Sequence, residues 1–254
     1  MSDYFFGSDE KAEERRLLAV KAYSDPASRS VLRELGVGNG WVCWEIGAGR
    51  GSVAYWLSDL VGPDGRVLAT DVDTHRLHDR SNLEVVRHDV VEDDPPEDGF
   101  DLIHGRFLLE HLPEPKRVLD RLVSVLRPGG LLVVEDTTGL DLWVDPHVVG
   151  IAEICRAWEA AARSISWDPG LGRHLTSALT ECGLTGVEGV SYRRRAPGGP
   201  VWEAVRLGLI RLHDRIVEDG ASKESLNRLI NVLNDPTYTI TGAPTAISWG
   251  ANNQ

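Results

Sequence analysis

The stretch "VCWEIGAGRGSVAYWL", residues 42–57, decides the fold. An apolar run reaches Glu45, glycines follow at every second position (Gly47, Gly49, Gly51), and apolar residues then recur at helical spacing. The pattern is a strand, a bend and a helix. A bend stripped of side chains lets a ligand approach the backbone. The helix starting near Gly51 turns free N–H groups and the positive end of its dipole toward that space. A dinucleotide fingerprint would place glycine at position 52, where this chain has Ser52. Glu45 would repel a pyrophosphate and suits a ligand with a positive centre.

Strand-like runs and helical patterns alternate beyond this stretch. "RVLATD" (66–71), "LEVVRHD" (83–89), "FDLIHG" (100–105) and "LLVVED" (131–136) read as strands, with helices over 51–60, near 74–79 and over 114–126. Such alternation of nearly all-apolar strands predicts a parallel sheet covered on both faces through right-handed crossovers. Upstream, residues 9–35 read as two helices broken at "SDPAS", where Pro26 starts the second. Downstream, helices are expected over 145–164 and 170–182, and strands over 184–194 and 237–249. Between those strands, about residues 200–235, Val205, Leu209, Leu212 and Ile216 recur at helical spacing. An insertion of that kind forms a lid or an oligomer contact, which leaves a homodimer through it open.

Composition narrows the partners. The 254 residues carry a formal net charge of −12, which repels nucleic-acid backbones and anionic membranes. The only dense basic cluster, "YRRR" at 192–195, reads as a solvated strand face. Cys43, Cys155 and Cys182 show no metal-type spacing and suit a reducing cytosol, with Cys43 a buried thiol. No apolar run approaches membrane-spanning length, and "MSDYFFGSDEKAEERR" lacks the basic and apolar regions of a signal peptide. The expectation is a soluble cytoplasmic protein acting on a small molecule, without a bound metal.

Two further acids share the sheet edge of the glycine bend. Asp71, followed by Val72, closes the second strand, where a carboxylate can accept both hydroxyls of a ribose. Asp89 closes the third, where it can accept an adenine amino proton while Val90 offers a backbone N–H. Asp73 is the rival for the ribose role but lies past the strand end. Any one of these acids alone reads as a solvated loop residue. Three at successive strand ends point to an adenosine-type ligand.

The stretches "CWEIGAGRGSVAYWL", "GRVLATDVD", "VVRHDVVEDD", "FDLIHGRFLLEHLPEP" and "LRPGGLLVVED" together resemble the class I S-adenosylmethionine-dependent methyltransferases. The resemblance covers about residues 40–137 and is closest to actinobacterial small-molecule, natural-product methyltransferases, in which "PGGP" and "NDPTY" also have counterparts. It implies an α/β, Rossmann-like, seven-stranded, mostly parallel sheet in the order 3-2-1-4-5-7-6. Helices would cover both faces, with N-terminal helices and a helical insertion before the last strand. It also implies S-adenosylmethionine as cofactor and S-adenosylhomocysteine as product. The chain 1–254 then reads as a single methyltransferase domain: an N-terminal helical cap (1–38), a cofactor-binding half (40–137) and a substrate-side half (138–254).

By the same resemblance, "RFLLEHLPEP" contacts the cofactor near Arg106 and Phe107, and His111 faces the active cleft. His111, Glu110 and Tyr23 are the candidate acid–base residues, should the nucleophile need to lose a proton. Each has a plainer reading: a loop hydrogen bond for His111, solvation for Glu110 and core packing for Tyr23. Asp136 would orient a substrate amine or hydroxyl, or cap a loop, and His104 reads as a satisfied core histidine. Trp41, Trp44 and Trp56 are expected to pack the sheet. Trp143, Trp158, Trp167 and Trp202 are mostly core, with one or two free to meet a flat substrate. The acceptor is expected to be aromatic or amine-bearing, with an indole carbon, an oxygen or a nitrogen as the methylated atom. Two other readings stand beside this one: a nicotinamide-dependent oxidoreductase, which Glu45 and Ser52 oppose, and a non-catalytic cofactor-binding subunit.

Overall fold

The structure, a computed structural model, describes residues 10–253. Residues 1–9, which include most of the acidic opening stretch and the first position of the expected helix 9–35, lie outside the described residues. In chain order the elements begin with α1 (Glu10–Glu34), β1 (Val42–Ile46), α2 (Ser52–Val61), β2 (Arg66–Asp71) and β3 (Leu83–Arg87). There follow β4 (Phe100–Arg106), α3 (Pro115–Ser124), β5 (Leu126–Thr137), β6 (Trp143–Asp145), α4 (Ile151–Arg163), α5 (Leu175–Glu181) and β7 (Thr185–Tyr192). The remainder comprises β8 (Arg195–Pro197), α6 (Glu203–Arg211), α7 (His213–Glu218), α8 (Lys223–Val232), β9 (Thr239–Thr241) and β10 (Thr245–Ala251). These residues fall into two compact units.

The larger unit (27–138, 166–192 and 245–253) is built on a seven-stranded sheet. Its order, β3-β2-β1-β4-β5-β10-β7, is the 3-2-1-4-5-7-6 arrangement that the resemblance implies. Strands β3, β2, β1, β4 and β5 run parallel, and β10 is antiparallel to both of its neighbours. The strands are apolar because both faces are buried. Trp44, Ile46, Phe100, Ile103, Leu132 and Val134 pack on one side, and Cys43, Val67, Leu102 and Val133 on the other. Strand order reverses at β1, which lies between β2 and β4, so a ligand crevice is expected beyond the carboxyl ends of β1 and β4.

The smaller unit (10–26, 139–165 and 193–244) holds the antiparallel sheet β6-β9-β8 and helices α4, α6, α7 and α8. The apolar stripe of the insertion is buried at Leu209, Leu212 and Ile216, with Val205 half-buried, and α7 packs on α4. No helix among the described residues is long and apolar enough to cross a membrane.

Three sequence expectations need correction. First, α1 does not break at "SDPAS"; it continues through Pro26. Pro26 and Ala22, the residue whose carbonyl loses its partner, both face solvent, so water can satisfy the freed group. Buried Val31 and Leu32 then anchor the following turns. Second, no helix forms near 74–79. Asp73 Oδ1 accepts the His75 N–H at 3.3 Å, and Leu77 N–H closes a single turn on Thr74 at 2.9 Å. Side-chain bonding of this local kind competes with a helix. Third, α4 starts at Ile151 and not near 145, because residues 143–145 pair with β9.

Candidate active site

The glycine bend takes its shape from backbone conformations that other residues adopt at a cost. Gly47, Gly49 and Gly51 have φ of 61°, 57° and 74°, all left-handed. A Cβ on Gly51 would lie 2.6 Å from Tyr55 Cε2 and 2.8 Å from Leu77 Cδ2. The bend is tied to β2 by Ala48 N–H, which donates to the Thr70 carbonyl at 2.9 Å, and by Gly49 N–H, which donates to Asp71 Oδ2 at 2.8 Å. Helix α2 follows with no side-chain cap, leaving its first-turn amides and dipole to whatever the bend receives.

Asp71 ends β2 as expected, and its other oxygen accepts the Asp73 N–H at 3.0 Å. Burial raises its pKa, while the amides of Asp73 and Gly49 pull it back. A carboxylate has about four lone-pair sites, so two ribose hydroxyls can still be accepted. Val72 is exposed beside it. Asp73 is exposed and pairs with His75. Asp89 lies beyond the end of β3 at Arg87, a correction to its placement as the strand's last residue. The ladder ends when His88 N–H reaches the Asp71 carbonyl at 3.0 Å, after which Asp89 Oδ1 accepts the Val91 N–H at 3.0 Å. Val90 is half-buried, and its carbonyl accepts from Arg121.

Glu45 is buried, and its Oε2 lies 2.6 Å from His104 Nδ1. The pairing follows from register, since Glu45 and His104 are partners across β1 and β4. On the other side His104 Nε2 lies 2.9 Å from Glu135 Oε1 of β5. Ser28 Oγ donates to Glu135 Oε2 at 2.9 Å and accepts from Arg106 Nη1 at 2.8 Å. Arg106 Nη2 reaches Ser52 Oγ, the first residue of α2, at 3.3 Å. His104 is thus the satisfied core histidine expected. Burial lowers its pKa, but the Glu45 charge and the hydrogen bonds from Glu135 and Glu45 outweigh that and raise it to about 9. Glu135 went unnoticed in the sequence. The available signal was a pair of charged residues, His104 and Glu135, inside strands that are otherwise apolar.

Beyond β4, Phe107 has φ of 52°, unusual for a non-glycine residue, and its N–H donates to the Glu135 carbonyl at 2.7 Å. The turn Leu109–His111 follows, and Leu108 packs on the bend, 3.3 Å from where a Gly47 Cβ would stand. Glu110 is 3% exposed rather than solvated. Its Oε2 meets Thr137 N at 2.9 Å and Thr137 Oγ1 at 2.5 Å. Thr137 Oγ1 also lies 2.9 Å from the Pro169 carbonyl. One hydroxyl proton cannot serve both, so a Thr137 that donates to Pro169 requires a protonated Glu110 to donate to it. Burial agrees, raising Glu110 to about 7 against the Thr137 hydrogen bonds. Asp136, held by the Glu110 N–H at 3.3 Å, is raised well above the usual range by burial and by the Glu110 charge. His111 Nε2 stands 3.6 Å from Glu110 Oε1, and its ring leans on Trp167 with centroids 5.5 Å apart. The structure therefore groups His111, Glu110, Asp136 and Trp167 beside the bend. In the smaller unit, Tyr23 donates to the Ala243 carbonyl at 2.8 Å and packs edge-on against buried Trp202. Trp143 is 72% exposed, whereas Trp158, Trp167 and Trp202 are buried.

Residues 44–132 match a family model described as a methyltransferase domain. Methyltransferase str3 of Strobilurus tenacellus is 32% identical over 195 residues, 72% of this chain and 67% of that protein. Methyltransferase str2 of the same organism is 35% identical over 144 residues, 53% of this chain and 50% of that protein. The fold resembles phosphoethanolamine N-methyltransferase 2 of Haemonchus contortus, solved with phosphomonomethylethanolamine and S-adenosylhomocysteine. That likeness has a TM-score of 0.55 at 13% identity and spans 95% of this chain and 53% of that one.

Proposed function

This chain belongs to the S-adenosylmethionine-dependent methyltransferases, and on that premise we propose that it methylates a small aromatic or amine-bearing metabolite of specialised metabolism. The observation that carries the acceptor class is the grouping of His111, Glu110 and Trp167 next to the glycine bend. An imidazole beside a buried carboxyl and tilted against an indole suits a flat acceptor with an ionisable N–H or O–H.

The residues present fit the cofactor. Glu45, Gly47, Gly49, Gly51, Asp71, Val72, Asp89, Val90 and Arg106 would hold it: a side-chain-free bend, carboxylates for hydroxyl and ammonium groups, and apolar side chains at exposed Val72 and half-buried Val90. When bound, S-adenosylmethionine supplies an electrophilic methyl group on a sulfonium centre. No strong electrophile is asked of the protein, so alignment and exclusion of water are its main work. His111 takes the proton from the acceptor's N–H or O–H, with the buried Glu110 carboxyl 3.6 Å from its Nε2. Trp167 offers the ring face against which an acceptor lies, with an indole carbon, an oxygen or a nitrogen as the methylated atom.

The test is a panel of phenols, indoles and aromatic amines incubated with S-adenosylmethionine and read by mass spectrometry. The proposal expects an acceptor that gains one methyl group as S-adenosylhomocysteine is released, with turnover reduced in His111→Ala. Methylation confined to a protein or a nucleic acid would overturn it.

A further inference from the structure

We propose that His104 is a positioning residue for the cofactor's amino-acid end: clamped as an imidazolium between Glu45 and Glu135, it keeps Glu45 ionised at the edge of the glycine bend. The inference rests on the functional reading above and extends it to a residue that meets no ligand.

The geometry calls for one proton in each of two contacts. Both ring nitrogens face carboxylate oxygens, at 2.6 and 2.9 Å. A neutral imidazole has one N–H and meets both contacts only if one carboxyl carries the second proton. The doubly protonated ring donates to both. The charged groups packed against it among the described residues are Glu45 from β1, Glu135 from β5 and Arg106 two residues along β4; from α1, the Ser28 hydroxyl reaches Glu135. Two anions and two cations then balance, the condition under which such a cluster can be buried.

Without the imidazolium, an uncompensated anion would remain in the core. Glu135 keeps Ser28, with Arg106 behind it, whereas Glu45 has His104 as its hydrogen-bond partner. Burial already pushes the Glu45 carboxyl above the usual range, and His104 opposes that push. The cheapest relief is therefore a proton on Glu45. A neutral Glu45 loses its attraction for the ammonium of the cofactor's amino-acid end.

Calorimetry with two ligands separates the roles. S-adenosylhomocysteine carries the amino-acid end, and methylthioadenosine lacks it. In the wild type, affinity for S-adenosylhomocysteine should be level between about pH 6 and 8. In His104→Gln it should be about tenfold weaker at the lower pH, the effect of displacing one pKa by about one unit. Methylthioadenosine should bind both proteins alike at both pH values. A His104→Gln protein whose S-adenosylhomocysteine affinity does not vary with pH would overturn the proposal. Because that variant replaces a fully buried residue, an NMR measurement on the wild type decides independently of folding or binding. An imidazolium signature for His104 at neutral pH supports the clamp, and a neutral ring overturns it. A wild type that shows the imidazolium yet binds neither ligand would retain the clamp and overturn the cofactor reading instead.

Discussion

Replacing Glu110 with glutamine removes a titrating group while keeping its shape. With its amide oxygen in the Oε2 position, the glutamine can still accept from both Thr137 N–H and Thr137 Oγ1. Burial holds Glu110 at about 7 in the fold. In the unfolded chain the same group titrates near roughly 4.3. A pKa raised by folding gives stability that is fully present below the unfolded value and is lost as pH rises through the folded one. The wild type should therefore forfeit about 2–4 kcal/mol between about pH 4.5 and pH 8 at this residue alone. Glu110→Gln escapes that loss and also relieves Asp136, whose carboxyl the Glu110 charge helps raise. Asp73 and Glu203, lowered by His75 and by Arg206, act in the opposite direction, but equally in both proteins. Urea unfolding of wild type and variant across this range isolates the Glu110 contribution. The variant should be the more stable by about 2–4 kcal/mol near pH 8, with the curves converging in acid. A constant gap between them, or a variant less stable at pH 8, would refute the reasoning.

Gly51→Ala should destabilise by about 2–4 kcal/mol in urea titrations, combining left-handed strain with a Cβ driven onto Tyr55 and Leu77. Asp71→Asn should weaken S-adenosylhomocysteine binding about tenfold by calorimetry, because the amide supplies fewer acceptor lone pairs to the ribose. Tyr23→Phe should lower stability by about 1–2 kcal/mol, the worth of the part-buried bond to the Ala243 carbonyl, as read from its urea midpoint.

Local chemistry accounts for what could be read from the sequence. Gly47, Gly49 and Gly51 announce left-handed backbone, and all three adopt it. Asp71 falls at a strand end because the apolar run before it is a strand. The misreadings arise where tertiary context overrides a local signal. Pro26 is a strong breaker, yet its exposed side allows α1 to continue. The pattern near 74–79 suits a helix, until Asp73 bonds its own neighbours. The Glu45–His104–Glu135 row depends on strand register, which no short stretch encodes. Glu110 looks solvated until Thr137 and the segment carrying Trp167 close over it, with Asp168 N–H reaching the Glu110 carbonyl at 2.8 Å.

The most direct test of the account is a crystal structure of the protein with S-adenosylhomocysteine. It should place the ribose hydroxyls on the Asp71 carboxylate and the ligand against the backbone of Gly47–Gly51. Density for the ligand anywhere else, with Asp71 bound only to Gly49 and Asp73, would contradict it.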